Sequence, residues 1–173
     1  GTMFGVVDFY RECRANGIKP IIGCEVYVAP ASRFSKVHGV DNKYSHLILL
    51  AENETGYKNL IYLVSMGCVE GYYYKPRIDK ELLREHSGGL IALSACIAGE
   101  VPRELLNGNT ENAKKAAQEY IDIFGKDNYF IEIQDHGLPE QKRILPQLIS
   151  LAKELEVGVV ATNDIHYLTR EDA

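Results

Sequence analysis

The sequence has no Cys-x-x-Cys pair, no apolar run of membrane-spanning length and no surplus of positive charge. Its four cysteines, Cys13, Cys24, Cys68 and Cys96, stand far apart. That spacing argues against a disulfide framework, and no segment reads as a signal peptide, so a reducing, cytoplasmic setting is expected. The longest apolar runs, His46-Leu-Ile-Leu-Leu-Ala51 and residues 157–161, are of strand length, well short of the ~20 residues that cross a bilayer. Lys and Arg number 19 against 24 Asp and Glu, a formal net charge of −5. The whole-chain balance therefore lacks the basic footprint that grips a nucleic-acid backbone. It suits a site that collects cations, or simply a solvated surface. Glycine-rich phosphate loops, a nucleophile elbow and a dinucleotide-binding fingerprint are also missing, which removes the enzyme classes built on them.

What is present is ordinary for a soluble globular chain. With 173 residues, 46% of them hydrophobic and 25% charged, residues 1–173 are expected to form a single domain with a sizeable core. Helical spacing from Val6 ends at Asn16-Gly17, and β-rich residues 19–29 follow. A polar loop over 31–45 leads to the apolar run at 46–51, which reads as a strand buried on both faces. Helices are expected at 54–71, 79–86, 100–106, 112–124 and 139–157, the last kinked at Pro146. Strands are expected at 90–96, 129–134 and 158–162. Tyr72-Tyr73-Tyr74 reads as packing beneath Pro76, with base stacking as the alternative. This alternation predicts an α/β fold with a mainly parallel sheet, barrel or doubly wound. Both ends read as cuts through a longer polypeptide.

In such folds chemistry gathers where strands end. The last strand runs into Thr162-Asn163-Asp164-Ile165-His166. Asp164 and His166 are two apart, so an extended segment sends both side chains to one side. That pair suits a divalent metal or a histidine oriented for acid–base work, while Asp164 also reads as a turn cap. Gln134-Asp135-His136 stands at another strand end, where turn formation explains it equally well. Cys96 closes a strand beside the small residues Ser94 and Ala95, as a ligand or as a small buried hydrophobe. Glu25 interrupts an apolar strand, a costly place for a carboxylate unless it is paired, metal-bound or turned to solvent. His46 heads its apolar run, where it reads as a satisfied core histidine before it reads as a ligand. A simple parallel strand would put it at the end opposite Cys96, unless that strand runs the other way or its register differs. One Glu, one Cys, one Asp and two or three His at strand boundaries make a donor set suited to zinc or manganese. Several metals held together would hydrolyse phosphoesters.

Four segments carry a resemblance: Gly17-Ile-Lys-Pro-Ile-Ile-Gly-Cys-Glu-Val-Tyr27, Tyr72-Tyr-Tyr-Lys-Pro-Arg77, Gly89-Leu-Ile-Ala-Leu-Ser-Ala-Cys96 and Ala161-Thr-Asn-Asp-Ile-His-Tyr167. Together they resemble the polymerase and histidinol phosphatase (PHP) domain, in the branch at the N-terminus of the bacterial replicative DNA polymerase III alpha subunit. The resemblance implies part of a distorted seven-stranded, TIM-like β/α barrel with a multi-metal site at one end. It makes Glu25, His46, Cys96, Asp164 and His166 metal ligands for Zn or Mn, with Asp164 and His166 also catalytic. His136 is matched to no ligand. The family's opening His-x-His, Asp and Asp-His motifs are not found ahead of Met3-Phe4-Gly5, so the barrel is expected to be truncated and its metal centre incomplete. Core surface around Val26, Ile48 and Val160 is then expected to be exposed. The implied role is that of a metal-dependent 3′–5′ exonuclease, or its remnant, within a polymerase. Its implied partners are DNA, a separate proofreading subunit and the sliding clamp, with no membrane. The alternatives are a stand-alone phosphoesterase acting on a small phosphate monoester and a structural platform for the proofreading subunit.

Overall fold

The computed structural model describes residues 1–172. Helix α1 (Val6–Ala15) precedes strands β1 (Gly23–Val28) and β2 (Ser45–Ala51). Helix α2 (Glu54–Val69), β3 (Arg77–Ile78) and α3 (Lys80–Glu85) follow, then β4 (Leu90–Leu93), α4 (Glu100–Leu106) and α5 (Thr110–Phe124). Strand β5 (Tyr129–Ile133), α6 (Pro139–Leu155) and β6 (Gly158–Ala161) complete the regular elements, before a short 3-10 turn at Arg170–Asp172.

The six strands form one sheet in the order β3-β1-β2-β4-β5-β6. Strand β1 runs parallel to β3, and β4, β5 and β6 run parallel to one another. Strand β2 is antiparallel to both its neighbours, β1 and β4. Five strands therefore point one way and β2 alone points the other. The fold is α/β with a mostly parallel sheet, as expected, and β2 is the departure. Its burial alternates along the strand instead of being complete on both faces, because α2 packs on one face while Ile48 and Leu50 on the other line an open cavity.

That alternation separates core from site. Cys24, Val26, Val28, Leu47 and Leu49 are buried and belong to one core cluster with Leu60 and Leu63 of α2. Glu25, Tyr27, His46, Ile48 and Leu50 occupy the opposite, half-buried face. Val26 is thus buried, contrary to the expectation of exposure, because it faces α2; Ile48 and Val160 are half-buried. Helix α2 starts at Asn53, whose side chain accepts a hydrogen bond from the Gly56 N–H at 3.0 Å, a standard N-cap. Gly56 lies so close to Gly89 that a Cβ would stand 1.7 Å from the Gly89 carbonyl oxygen, which fixes the helix against the start of β4. Asp79 caps α3 in the same way, accepting from Leu82 N–H at 3.0 Å. Helix α6 buries Ile144, Leu148, Leu151 and Leu155 at helical spacing. It continues as one helix through Pro146, which is exposed. Water on that side can take the carbonyl that proline leaves without a donor.

Candidate metal centre

The reversed direction of β2 settles where His46 lies. Its first residues sit level with the last residues of the neighbouring strands: Tyr27 pairs with His46, and Glu25 with Ile48. The segment leaving β4 then curls over the same end, where the His46 N–H donates to the Ala98 carbonyl at 3.1 Å. Ala95, with φ of 64°, turns the chain so that Cys96 comes back towards His46. Left-handed backbone at a residue other than glycine is uncommon and costs about 1 kcal/mol or more. The turn is closed by Gly99, whose N–H donates to the Cys96 carbonyl at 2.8 Å.

Three donor types meet here. Glu25 Oε1 lies 3.3 Å from His46 Nδ1, and Cys96 Sγ lies 3.7 Å from the same nitrogen. One donor atom from each residue falls within 4.8 Å of the other two. Ligands bound to zinc at ~2.0–2.3 Å stand at such separations, and carboxylate, imidazole and thiolate are its usual donors. The trio therefore fits a divalent ion in both spacing and chemistry. The pairing with His46 holds Glu25 below its ordinary carboxylate range, against the opposing effect of burial. His46 is pushed up to about 9, first by Cys96 and then by Glu25, again against burial. Without an ion, the site thus keeps its carboxylate charged by sharing a proton at His46. An ion must displace that proton, so acid weakens binding.

Asp164 and His166 stand outside this trio but line a cavity that Cys96 also lines. Gln134 and His136 line it too, and its volume is about 660 Å³. Asp164 has left-handed backbone, φ 45°, which Asp tolerates better than most residues. His166 Nδ1 lies 2.8 Å from the Asp164 carbonyl oxygen. A carbonyl only accepts, so Nδ1 carries the hydrogen and Nε2 keeps the lone pair that a ligand or base needs. The structure thus brings Glu25, His46 and Cys96 into contact, and it places Asp164 and His166 along a cavity that Cys96 also lines.

Two residues have roles that sequence reading left unassigned or missed. His136 Nε2 lies 2.7 Å from the Asn163 carbonyl and so donates to it, which leaves Nδ1 to accept from Gln141 Nε2 at 2.9 Å. Gln141 in turn accepts from the His136 N–H at 2.8 Å. His136 therefore ties α6 to the loop carrying Asp164 and His166. Glu132, buried in β5, accepts from Gln134 Nε2 at 3.0 Å and from the Thr162 hydroxyl, fastening the end of β6. An acid between two isoleucines was the available signal, parallel to Glu25.

Comparison with known proteins identifies the family. The PHP domain family model matches residues 1–136. The chain is 54% identical over its whole length to the DNA polymerase III subunit alpha of Treponema pallidum, covering 15% of that protein. It is 51% identical to that of Thermus aquaticus, also over its whole length, covering 14%. Against the Helicobacter pylori subunit it is 44% identical over its whole length and covers 15%. The chain thus spans about 15% of the length of the relatives it matches. A match over most of its residues, and a sheet whose strand ends converge on carboxylate, imidazole and thiolate, lead to one conclusion: the chain belongs to the PHP domain family.

Proposed function

We propose that residues 1–173 act as one domain, the N-terminal PHP part of a bacterial replicative DNA polymerase, and that this domain removes nucleotides from a DNA 3′ end by metal-dependent hydrolysis. The observation that carries the reading is the contact among Glu25, His46 and Cys96, with Cys96 also lining the cavity of Asp164 and His166. Zinc or manganese bound here would polarise the phosphate and lower the pKa of a bound water. Glu25, His46 and Cys96 would hold the first ion, and thiolate tips that position towards zinc. Asp164 and the Nε2 lone pair of His166 would add further donors for metal from the same cavity. His136 would keep them there through its bond to Asn163. The six-stranded sheet would form the greater part of a distorted seven-stranded barrel. No helix among the described residues is long and apolar enough to cross a membrane. The relatives support DNA and a replicase as its setting in general; a cytoplasmic location, with a proofreading subunit and a sliding clamp as partners, is part of the proposal.

Metal removal tests the reading. In the full-length polypeptide, dialysis against a chelator should abolish release of a 3′ nucleotide from DNA, and added Zn²⁺ or Mn²⁺ should restore it. Activity that survives at less than one equivalent of bound metal would refute it. The positioning role of His136 has its own test. His136→Ala should weaken metal loading about tenfold in equilibrium dialysis, the usual scale for residues that orient ligands. His136→Gln, which keeps a donor for the Asn163 carbonyl, should recover part of it. Equal loading in all three proteins would remove His136 from the scheme.

A further inference from the structure

The end of the sheet that carries the ligand trio also carries a platform of rings and lysines that hydrolysis does not use. Residues 29–44 join the end of β1 to the start of β2, and residues 70–76 lead into β3, which pairs with Tyr27 and Val28. Residues 29–44 therefore lie at the end where His46 stands, and contacts from Arg77 and Tyr74 bring residues 70–76 against them. A single guanidinium clamps them together. Arg77 donates from Nε to the Gly71 carbonyl at 3.0 Å and from Nη1 to that of Asp41 at 2.7 Å. Its Nη2 donates to Arg33 and Ser35 carbonyls at 3.1 and 2.9 Å.

On this rigid base Phe34, Tyr72 and Tyr74 are 57%, 58% and 59% exposed. Large rings at that exposure run against the usual pattern of burial. Tyr74 is held outward by left-handed backbone, φ 60°, a strain that persists only where surroundings enforce it. Its hydroxyl lies 3.4 Å from His38 Nδ1, which links the two segments at the surface. Lys36, Lys43 and Lys75 stand exposed on the same two segments. The acids nearby are mostly engaged: Asp41 accepts from Ser35 and Val37, while Asp79 and Glu70 pair with Arg33. Glu81 is the exposed acid at the margin, 3.8 Å from Arg33. The net charge of −5 for the chain thus conceals a local face whose exposed charges are largely positive.

Exposed rings interleaved with lysines are the chemistry that holds unpaired bases by stacking and their backbone by charge. A duplex covers its base faces, so it could not use the rings. A protein interface would also use the rings but is depleted in lysine, and the lysines here favour a polyanion. We infer that this platform binds single-stranded nucleic acid. Tyr44 continues the path inward, its ring 4.6 Å from Tyr27 and stacked 6.3 Å from His46, so a bound strand leads towards the ligand trio. That direction rests on the hydrolytic reading; the binding does not.

The test uses the full-length polypeptide that carries this segment and a single-stranded DNA oligonucleotide containing 5-iodouracil. After irradiation, crosslinks on peptides covering residues 31–44 or 72–75 are expected. Crosslinks confined to other segments would overturn the inference, as would crosslinks from this platform to protein alone. In steady-state assays, Tyr72→Ala with Tyr74→Ala should raise KM for the single strand about tenfold, the scale of one lost base stack. Metal content should stay unchanged, and Tyr72→Phe with Tyr74→Phe should restore the lower KM. An unchanged KM in the alanine protein would overturn the inference. If the unaltered protein releases no nucleotide, the hydrolytic reading falls, and the crosslinks still decide the platform.

Discussion

Asp164→Asn combined with His166→Ala should lower metal-dependent release of a 3′ nucleotide at least about a hundredfold in the full-length polypeptide. Loss of even an outer-shell partner of a metal site costs about 10–100-fold, and this change removes two proposed ligands. Asparagine keeps the shape of Asp164 but not its charge, and alanine deletes the lone-pair nitrogen that the bond to the Asp164 carbonyl leaves exposed. Both residues lie on a half-exposed or exposed loop after β6 rather than in the core, so folding should be little affected. Nucleotide addition by the rest of the polypeptide should be unchanged, which controls for unfolding. Full release by the double variant, with metal still bound, would show that the chemistry lies elsewhere.

Arg77→Met is the second large effect, and it falls on stability. The Arg77 side chain is fully buried, and its four hydrogen bonds all go to backbone carbonyls, those of Gly71, Asp41, Arg33 and Ser35. Methionine fills similar space but offers no donor. A buried acceptor stripped of its donor costs about 1–3 kcal/mol; since the loops can partly relax, a total of about 3–5 kcal/mol is expected. Arg77→Lys should recover little, because an ammonium cannot match the planar fork that reaches carbonyls on both sides. A downward shift of the urea midpoint and tryptic cleavage at Lys36 or Lys43 would report it. Resistance of that loop to trypsin in the Met variant would mean that the segments are held by something other than this guanidinium.

Sequence pattern reached the elements further than their arrangement. The helices α2, α3, α4 and α5 follow from local apolar spacing, and the starts of α2 and α3 from the Asn53 and Asp79 caps, since a side-chain oxygen at the first turn needs no distant partner. The site residues were legible as types at strand ends, and Glu25 stood out because a carboxylate in an apolar strand needs a reason. The direction of β2 was not legible. Residues 46–51 fit a parallel or an antiparallel strand equally well, and only the pairing with Leu93 and Tyr27 decides. The place of His46 beside Cys96 depended on that one choice. Tyr72 and Tyr74 were read as packing because sequence carries no record of a φ of 60°, which turns Tyr74 outward. Arg77 gave no sign of its carbonyl partners, three of which lie more than 35 positions away along the chain.

The lone reversed strand also bears on the order in which the molecule comes together during synthesis. Neighbouring antiparallel strands need only a modest loop closed between them, so Glu25 and His46 can meet soon after they leave the ribosome. Cys96 joins once β4 docks against β2. The stretch bearing Asp164 and His166 is made after all three, so chain order alone allows the trio to assemble before the rest of the cavity.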